Sequence, residues 1–385
     1  MFTVAIGHSE DIDSADAIEE VLEQCREELG DATAQAGILY ASIDHEYGEL
    51  LEAINRAHPE IELIGCTTDG ELSSRMGFLE DSITLLLFHS DVIDIKAGFA
   101  DHLPDQIDTS IAEAVQATVA RLSQAPKLCI MHPVSITASG SAILERFKAA
   151  LGEDFPIFGA SAGDRWEFKQ TYQFYKQEVH QNGVGFLVFS GPLHFGAGVS
   201  TGWVPKGNLH TVTRVEGNVV YTIDEMTAVE FYQQHLGEHV DTLGDYPLAI
   251  FEDGENGPFY LRAALMANVE DGSIVFAGDI DHQASVRIMT ATTEQIIAAS
   301  EASVQQSLQN FTGKQADIAI CFSCSGRKQA LGTRTGKEYE QLRKSCPDIK
   351  VCGFYGYGEI SPLQTGTPAK FHNETFVTLL LGTNE

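Results

Sequence analysis

A strand that runs straight into a glycine recurs three times along the chain, in IELIGCTTDGELSS, FPIFGASAGD and IKVCGFYGYGEIS, placing Gly65, Gly159 and Gly353 in equivalent positions. Glycine there permits positive φ and lets other backbone or a ligand come close to the strand end. The same order of elements surrounds it each time, which predicts a duplicated unit. Apolar periodicity predicts strand 2–6, helix 14–29, strand 36–41, helix 47–57 and strand 61–66, then strands 82–88 and 92–100. The pattern returns as helix 106–123, strand 127–132, helix 140–151 and strand 155–158, with strands near 171–177, 183–190 and 193–200. A third copy reads as strand 285–290, helix 293–311, strand 316–322, helix 336–345, strand 349–353 and a last strand at 374–381.

These elements predict a mixed α/β (α+β) fold, in which duplicated β-α-β-α-β-β units form two sheet-containing domains with helices packed on the sheets. Between the second and third copies, residues 208–278 alternate β-rich runs such as LHTVTRV and GPFYLRAAL with one helix near 227–236. Turn signals at Gly217-Asn218, Asp253-Gly254 and Asp271-Gly272 predict hairpins. The expected division is residues 1–220 and 221–385, with extensive contact between the halves because no low-complexity linker separates them.

Composition excludes several partners. The formal net charge of −31 repels a phosphate backbone or an anionic membrane over most of the surface, so neither nucleic acid nor membrane is an expected partner. MFTVAIGHSEDID has neither the basic nor the apolar region that export requires, and the longest apolar run, SITLLLF, has strand length. A soluble, cytoplasmic chain is expected. Seven cysteines, an odd number, fit reduced core thiols better than a disulfide framework.

The tail CFSCSGRKQALGTRTGKEYEQLRKSCPDIKVCGFYGYGEISP, followed by TFVTLLLG, resembles the FIST C-terminal domain, and IGCTTDGELSS, FPIFGASAGD and VSTGWVPKGNLHTVTRVEGN resemble the FIST N-terminal domain. The resemblance assigns residues 1–220 to the N-terminal-like and 221–385 to the C-terminal-like part. It implies an intracellular, non-catalytic sensory module for small ligands, with amino acids the proposed class. A subset of stand-alone members binds haem, senses nitric oxide and signals to a partner histidine kinase. No kinase, cyclase or methyl-accepting segment is attached to this chain, so its output is expected to pass through another protein.

Within an acidic chain, SGRKQALGTRTGKEYEQLRK crowds Arg327, Lys328, Arg334, Lys337, Arg343 and Lys344 together. Arg327 and Arg334, expected in a strand-to-helix loop, are candidates to hold the carboxylate of an amino acid or similar small anion. The family motif supports Arg327. Glu359, set after Gly356 and Gly358 much as Asp69 and Glu71 are set in TDGELSS, is a candidate for the ammonium. Capping of turns or pairing with the arginines is the structural alternative. Tyr355 and Tyr357 point to opposite sides if extended, one to a pocket and the other to the core. Cys66, Thr67, Ser161 and Asp164 complete the turn residues expected at the ligand.

Cys66 has no adjacent base and reads as a packed thiol rather than a nucleophile. Cys321 and Cys324 form one close pair but Cys346 and Cys352 are badly spaced for zinc. Haem is the alternative cofactor. His180, between an aromatic and an apolar strand, is the candidate axial ligand, and His132 the second choice. The Cys346-Pro347 dipeptide resembles a haem-regulatory motif. No HExxH, phosphate loop or GxSxG elbow is present; GASAG around Ser161 has elbow spacing but reads as the repeat turn.

Overall fold

Side chains alternate along the strand Ala36–Ala41, with Ile38 and Tyr40 entering one apolar cluster and Leu39 and Ala41 entering another. Both faces are buried, which is why the run reads as continuously apolar rather than alternating. The strands Pro126–Pro133 and Ile318–Cys324 repeat the pattern, giving Leu128, Ile130, Ile320 and Phe322 to the same central cluster as Ile38 and Tyr40. The opposite faces meet helices. Ser14–Leu29 buries Ala17, Ile18, Val21, Cys25 and Leu29 along one stripe, starts on the Asp13 carboxylate, which accepts from Ala15 and Asp16 N–H, and stops at Gly30 with φ +60°.

The computed structural model describes residues 2–237, 240–252, 254 and 257–383. Among them, three six-stranded mixed sheets share one order: first strand, last strand, second strand, third strand, then a two-stranded hairpin. In the first unit these are Phe2–Ser9, Ile83–Ser90, Ala36–Ala41 and Glu62–Thr67; in the second Asp94–Ala100, Val184–Ser190, Pro126–Pro133 and Ile157–Ala160; in the third His194–Ser200, Phe376–Gly382, Ile318–Cys324 and Lys350–Gly356. Second and third strands pair parallel and the rest antiparallel.

The hairpin always comes from a different unit. Glu71–Ser73 and Gly77–Leu79 of the first unit extend the third sheet, Gln173–Tyr175 and Glu178–His180 of the second extend the first, and Glu359–Pro362 and Ala369–His372 of the third extend the second. The three units are thereby linked in a cycle. Their inner faces form one core, while the helices Ser14–Leu29 and Tyr47–Ala57, Ile107–Val119 and Gly140–Leu151, and Thr293–Asn310 and Gly336–Ser345 cover the outer faces.

The recurrent glycines occupy one register, with Gly65 opposite Leu39, Gly159 opposite Met131 and Gly353 opposite Cys321. A Cβ at these positions would lie 2.1, 1.9 and 2.0 Å from the carbonyl oxygen of the facing residue. Close backbone approach, the second of the two reasons expected for glycine, therefore applies to all three, and only Gly159, at φ +146°, also uses positive φ.

The third unit differs from its expected form. Ser285–Thr290 is a strand, but it belongs to a separate nine-stranded sheet formed by residues 204–290, inserted between His194–Ser200 and the helix Thr293–Asn310. The first strand of the third unit is thus His194–Ser200, about ninety residues earlier than periodicity suggested. The division expected at 220/221 falls inside the strand Val219–Ile223 of this insert. The Gly217-Asn218 and Asp271-Gly272 turns join antiparallel strands. Asp253 of the third expected turn lies outside the described residues, although the flanking strands Leu248–Phe251 and Phe259–Arg262 pair antiparallel.

Candidate functional site

The turns that follow the three glycine-bearing strands hydrogen-bond to one another. Asp69 N–H donates to the Tyr355 carbonyl at 2.8 Å and Tyr355 N–H to Gly70 at 2.9 Å; Ser161 N–H donates to Gly358 at 2.9 Å; Gly163 N–H donates to Thr67 at 2.9 Å. Below them the centre is filled by equivalent residues of the three second strands, Tyr40, His132 and Phe322, together with Phe354. The three turns therefore converge, but the centre beneath them is filled with side chains.

Open space lies to one side, between the second unit, the third unit and the insert. This cavity, about 420 Å³, is lined by Ser135–Gly140 and Ser161 of the second unit, Cys324–Gly326, Gly356, Tyr357, Phe371, Asn373 and Glu374 of the third, and Val275–Asp279 of the insert. Its size is that of a site for a drug-sized molecule. Among the described residues, four polar atoms in its walls are buried without a protein partner, Ser135 Oγ, Ser161 Oγ, Trp166 Nε1 and Glu374 Oε2, while the hydroxyl of a further lining residue, Ser325, is set toward the Asp69 carboxylate. Buried polar atoms are normally paired, so four orphans around one cavity fit a wall built to meet a polar guest.

The aromatic side of the cavity depends on Asp164. Its carboxylate accepts the Tyr357 hydroxyl at 2.5 Å, Phe168 N–H at 3.0 Å, Lys169 N–H at 2.7 Å and Gln170 N–H at 3.0 Å, while Trp166 N–H donates to Tyr357 Oη at 2.7 Å. These bonds hold Arg165, Trp166 and Phe168 at φ +56°, +63° and +49°, a conformation unfavourable to residues with a Cβ. Phe168 stacks on Tyr357 at 4.8 Å, and Trp166 meets Phe168 edge-on at 5.1 Å.

Of the residues singled out in the sequence, Ser161 and Tyr357 line the cavity and Asp164 positions Tyr357. Tyr355 takes the core side, as alternation required, and its hydroxyl donates to Glu338 at 2.7 Å. Asp69 is buried beside the cavity. Burial pushes its carboxyl up to about 6, opposed by the Ser325 hydroxyl, Lys328 and Arg165 N–H, and its carbonyl accepts Lys328 Nζ at 2.8 Å. Thr67 Oγ1 accepts Tyr172 N–H at 3.1 Å, and Cys66 is fully buried with its thiol pushed well up by desolvation. Glu359 is fully buried and does not line the cavity; its Oε2 accepts the Thr375 hydroxyl at 2.8 Å and Thr375 N–H at 3.2 Å, while its Oε1 has no partner.

The arginines are corrected. Arg327 lies in the helix Ser325–Leu331, not a loop, and is fully buried; its guanidinium donates to Glu338 and to the carbonyls of Thr201, Ile296 (2.8 Å) and Glu374 (3.4 Å). Every donor direction is committed to the protein, so it has none for a ligand carboxylate. Arg334 is on the surface, paired with Glu294 at 2.8 Å, and lines no part of the cavity. The expected haem ligands do not fit either. His180 Nδ1 faces Asp101 and Nε2 faces Glu178, both at 3.2 Å, with the ring stacked 4.0 Å from Phe99. His132 is fully buried, its nitrogens 3.3 Å from Tyr40 Oη and 3.2 Å from the Ala160 carbonyl. Neither presents a nitrogen to a cavity wall, and among the described residues no group of three His, Cys, Asp or Glu side chains could hold a metal.

The sequence reading missed Glu374, Trp166, Phe168, Ser135, Ser325 and Asp279. The only trace was the polar triplet HisAsnGlu at 372–374 breaking two apolar strands. All seven cysteines are buried and free. Among the described residues no helix is long and apolar enough to cross a membrane.

The FIST N domain matches residues 35–226 and the FIST C domain matches residues 228–362. An uncharacterized protein of Methanocaldococcus jannaschii is 24% identical over 320 residues, 76% of this chain; the chain spans about 60% of that relative's length. Two solved structures are similar over nearly the full length of both chains: a cyanuric acid hydrolase from A. caulinodans, with TM-score 0.41, 8% identity and all of each chain covered, and a second cyanuric acid hydrolase, with TM-score 0.36, 11% identity and 99% and 100% covered. The expectation that the chain is non-catalytic is corrected by these neighbours, since both are enzymes, and absence of catalysis is no longer inferred. Likenesses this distant assign no reaction to it either.

Proposed function

The chain belongs to the FIST family, whose domains are sensory modules of signal transduction that bind small ligands, and from that premise we propose that its sensory site is the cavity between the second unit, the third unit and the insert. The observation that carries this reading is the set of four buried, unpartnered polar atoms gathered around a single cavity. A ligand there touches the three-unit core and the insert at once, so it favours whichever placement of the insert closes around it. The preference sets the response, since tenfold tighter binding to one placement shifts the equilibrium by about 1.4 kcal/mol.

The receiver in this reading is a separate signalling protein such as a histidine kinase. Leu265 lines the cavity and is 44% exposed on the strand Ala264–Asn268, at the end of the insert sheet, where Met266 and neighbouring Val269 are also exposed. Ligand and receiver thus share one strand. The haem and nitric oxide reading draws no support from His180 or His132, whose ring nitrogens are already engaged.

Thermal-shift screening of small polar metabolites tests the proposal, using Ala277→Trp to fill the cavity from a small, half-buried lining position. Binding at 100 times Kd raises stability by about 2.7 kcal/mol in the parent. The shift should vanish in the variant. An equal shift in a folded Ala277→Trp protein would place the site elsewhere.

A further inference from the structure

The charged lining of the cavity is of one sign. Among the described residues, Asp279 and Glu374 are the carboxylic acids in its wall, and no lysine, arginine or histidine lines it. Glu374 is built in rather than incidental. It is 1% exposed, its Oε2 is unpartnered, its backbone sits at φ +59°, and a Cβ on Gly326 would fall 2.0 Å from its Oε1. A strained backbone and a neighbouring glycine both serve to keep this carboxyl where it is. Asp279 is half-buried and accepts the Ser139 hydroxyl at 2.6 Å through Oδ2.

Facing these acids is the aromatic group Trp166, Phe168 and Tyr357, clamped by Asp164. Aromatic faces attract a cation, most strongly once water is excluded, and a protein with a net charge of −31 concentrates cations around itself. A carboxylate ligand would meet two acids in the wall, while the arginines behind it, Arg327 and Arg262, already donate to protein acceptors, a poor exchange for its hydration.

We propose that the cavity takes a small organic cation, a protonated amine, amidine or quaternary ammonium on an apolar body, with its positive head at Glu374 and Asp279 and its body against Trp166, Phe168 and Tyr357. The proposal rests on the cavity being the sensory site, and it reverses the polarity expected from the arginine-rich segment. Burial raises the Glu374 carboxyl to about 8, with Arg327 opposing and Asp245 and Glu338 adding to the rise, so a cation that draws it into the ionised form is the guest that relieves its isolation.

Calorimetric titration at pH 8.5 with three probes of one shape decides the matter: phenethylammonium, phenylalanine and 3-phenylpropionate, with 2-phenylethanol as the neutral reference. The expected order is cation, then zwitterion, then anion, with at least a tenfold gap between the first and last. In Glu374→Gln the gap should shrink to threefold or less while 2-phenylethanol binds as before. If the anion or zwitterion matches the cation, or if phenethylammonium does not bind, the charge assignment is overturned. If the probes bind Ala277→Trp as well as the parent, the cavity itself is the wrong site and the underlying functional reading falls with it.

Discussion

Tyr40 Oη lies 3.3 Å from His132 Nε2 at the centre of the molecule, joining equivalent positions on two different units. The Ala160 carbonyl lies 3.2 Å from Nδ1, so a ring protonated on Nδ1 donates there and accepts from the tyrosine. Burial lowers the His132 pKa to about 4, which keeps the ring neutral and able to accept. Tyr40→Phe leaves a buried acceptor unmet and should destabilise the fold by about 1–3 kcal/mol. Urea unfolding of the variant measures this; an unchanged midpoint would show that the contact contributes nothing.

Gly159→Ala should be among the most damaging single-methyl additions in the chain. The new Cβ would sit 1.9 Å from the Met131 carbonyl, and φ of +146° is unsuited to alanine, so strand pairing must open to admit it. A loss of roughly 2 kcal/mol or more is expected, against a few tenths at the open Gly336. Comparable stability of the two variants in thermal unfolding would contradict the close-approach explanation.

Two arginines from one basic segment should behave oppositely. Arg327→Ala strands the fully buried Glu338 and should cost about 3–5 kcal/mol. Arg334→Ala breaks a pair whose side chains are 46% and 72% exposed, and should change stability by about 1 kcal/mol or less. Chemical denaturation of both separates an internal tie from a solvated contact, and a mild Arg327→Ala would reject the assigned role.

Stability should fall as pH rises from 6.5 to 8. Burial raises the Glu71 and Glu374 carboxyls to about 8 and Glu359 well above its ordinary value, so the folded chain holds protons that the unfolded chain has released. Their contribution is complete below about pH 4.5 and is lost as pH climbs through 8. His8, His132 and His372, lowered to about 4 by burial, act in the other direction, but their contribution is already complete above about pH 6.5. In the window between, each such carboxyl contributes a slope of up to about 1.4 kcal/mol per pH unit. Glu71→Gln should flatten the dependence; a stability that climbs across this window would refute the account.

How far this could be read in advance depended on whether the cause was local. The helices 47–57 and 140–151 were read with their observed bounds because their apolar stripes decide them. The three glycines were legible because no other residue lets two strands approach so closely. The exchanged hairpins were not, since Glu71–Ser73 is three residues long and its partner lies some 280 residues away. Arg327 was taken for a ligand contact because its buried partner Glu338, eleven residues on, looks in sequence like any surface acid. The cavity was hidden for the same reason: Ser135, Ser161 with Trp166, Ala277, Ser325 and Glu374 come from five segments that only tertiary packing brings together.

One consequence follows from the hairpin that closes the second sheet. Its strands, Glu359–Pro362 and Ala369–His372, follow the strand Ile157–Ala160 by about two hundred residues, yet that strand needs them as its neighbour. Until those later strands have been made, Ile157–Ala160 presents a bare backbone edge, the kind of surface that recruits stray strands. Protein cut at residue 358 should be protease-sensitive as far back as the second unit, so the early parts of the ring must be sheltered until its third unit closes it.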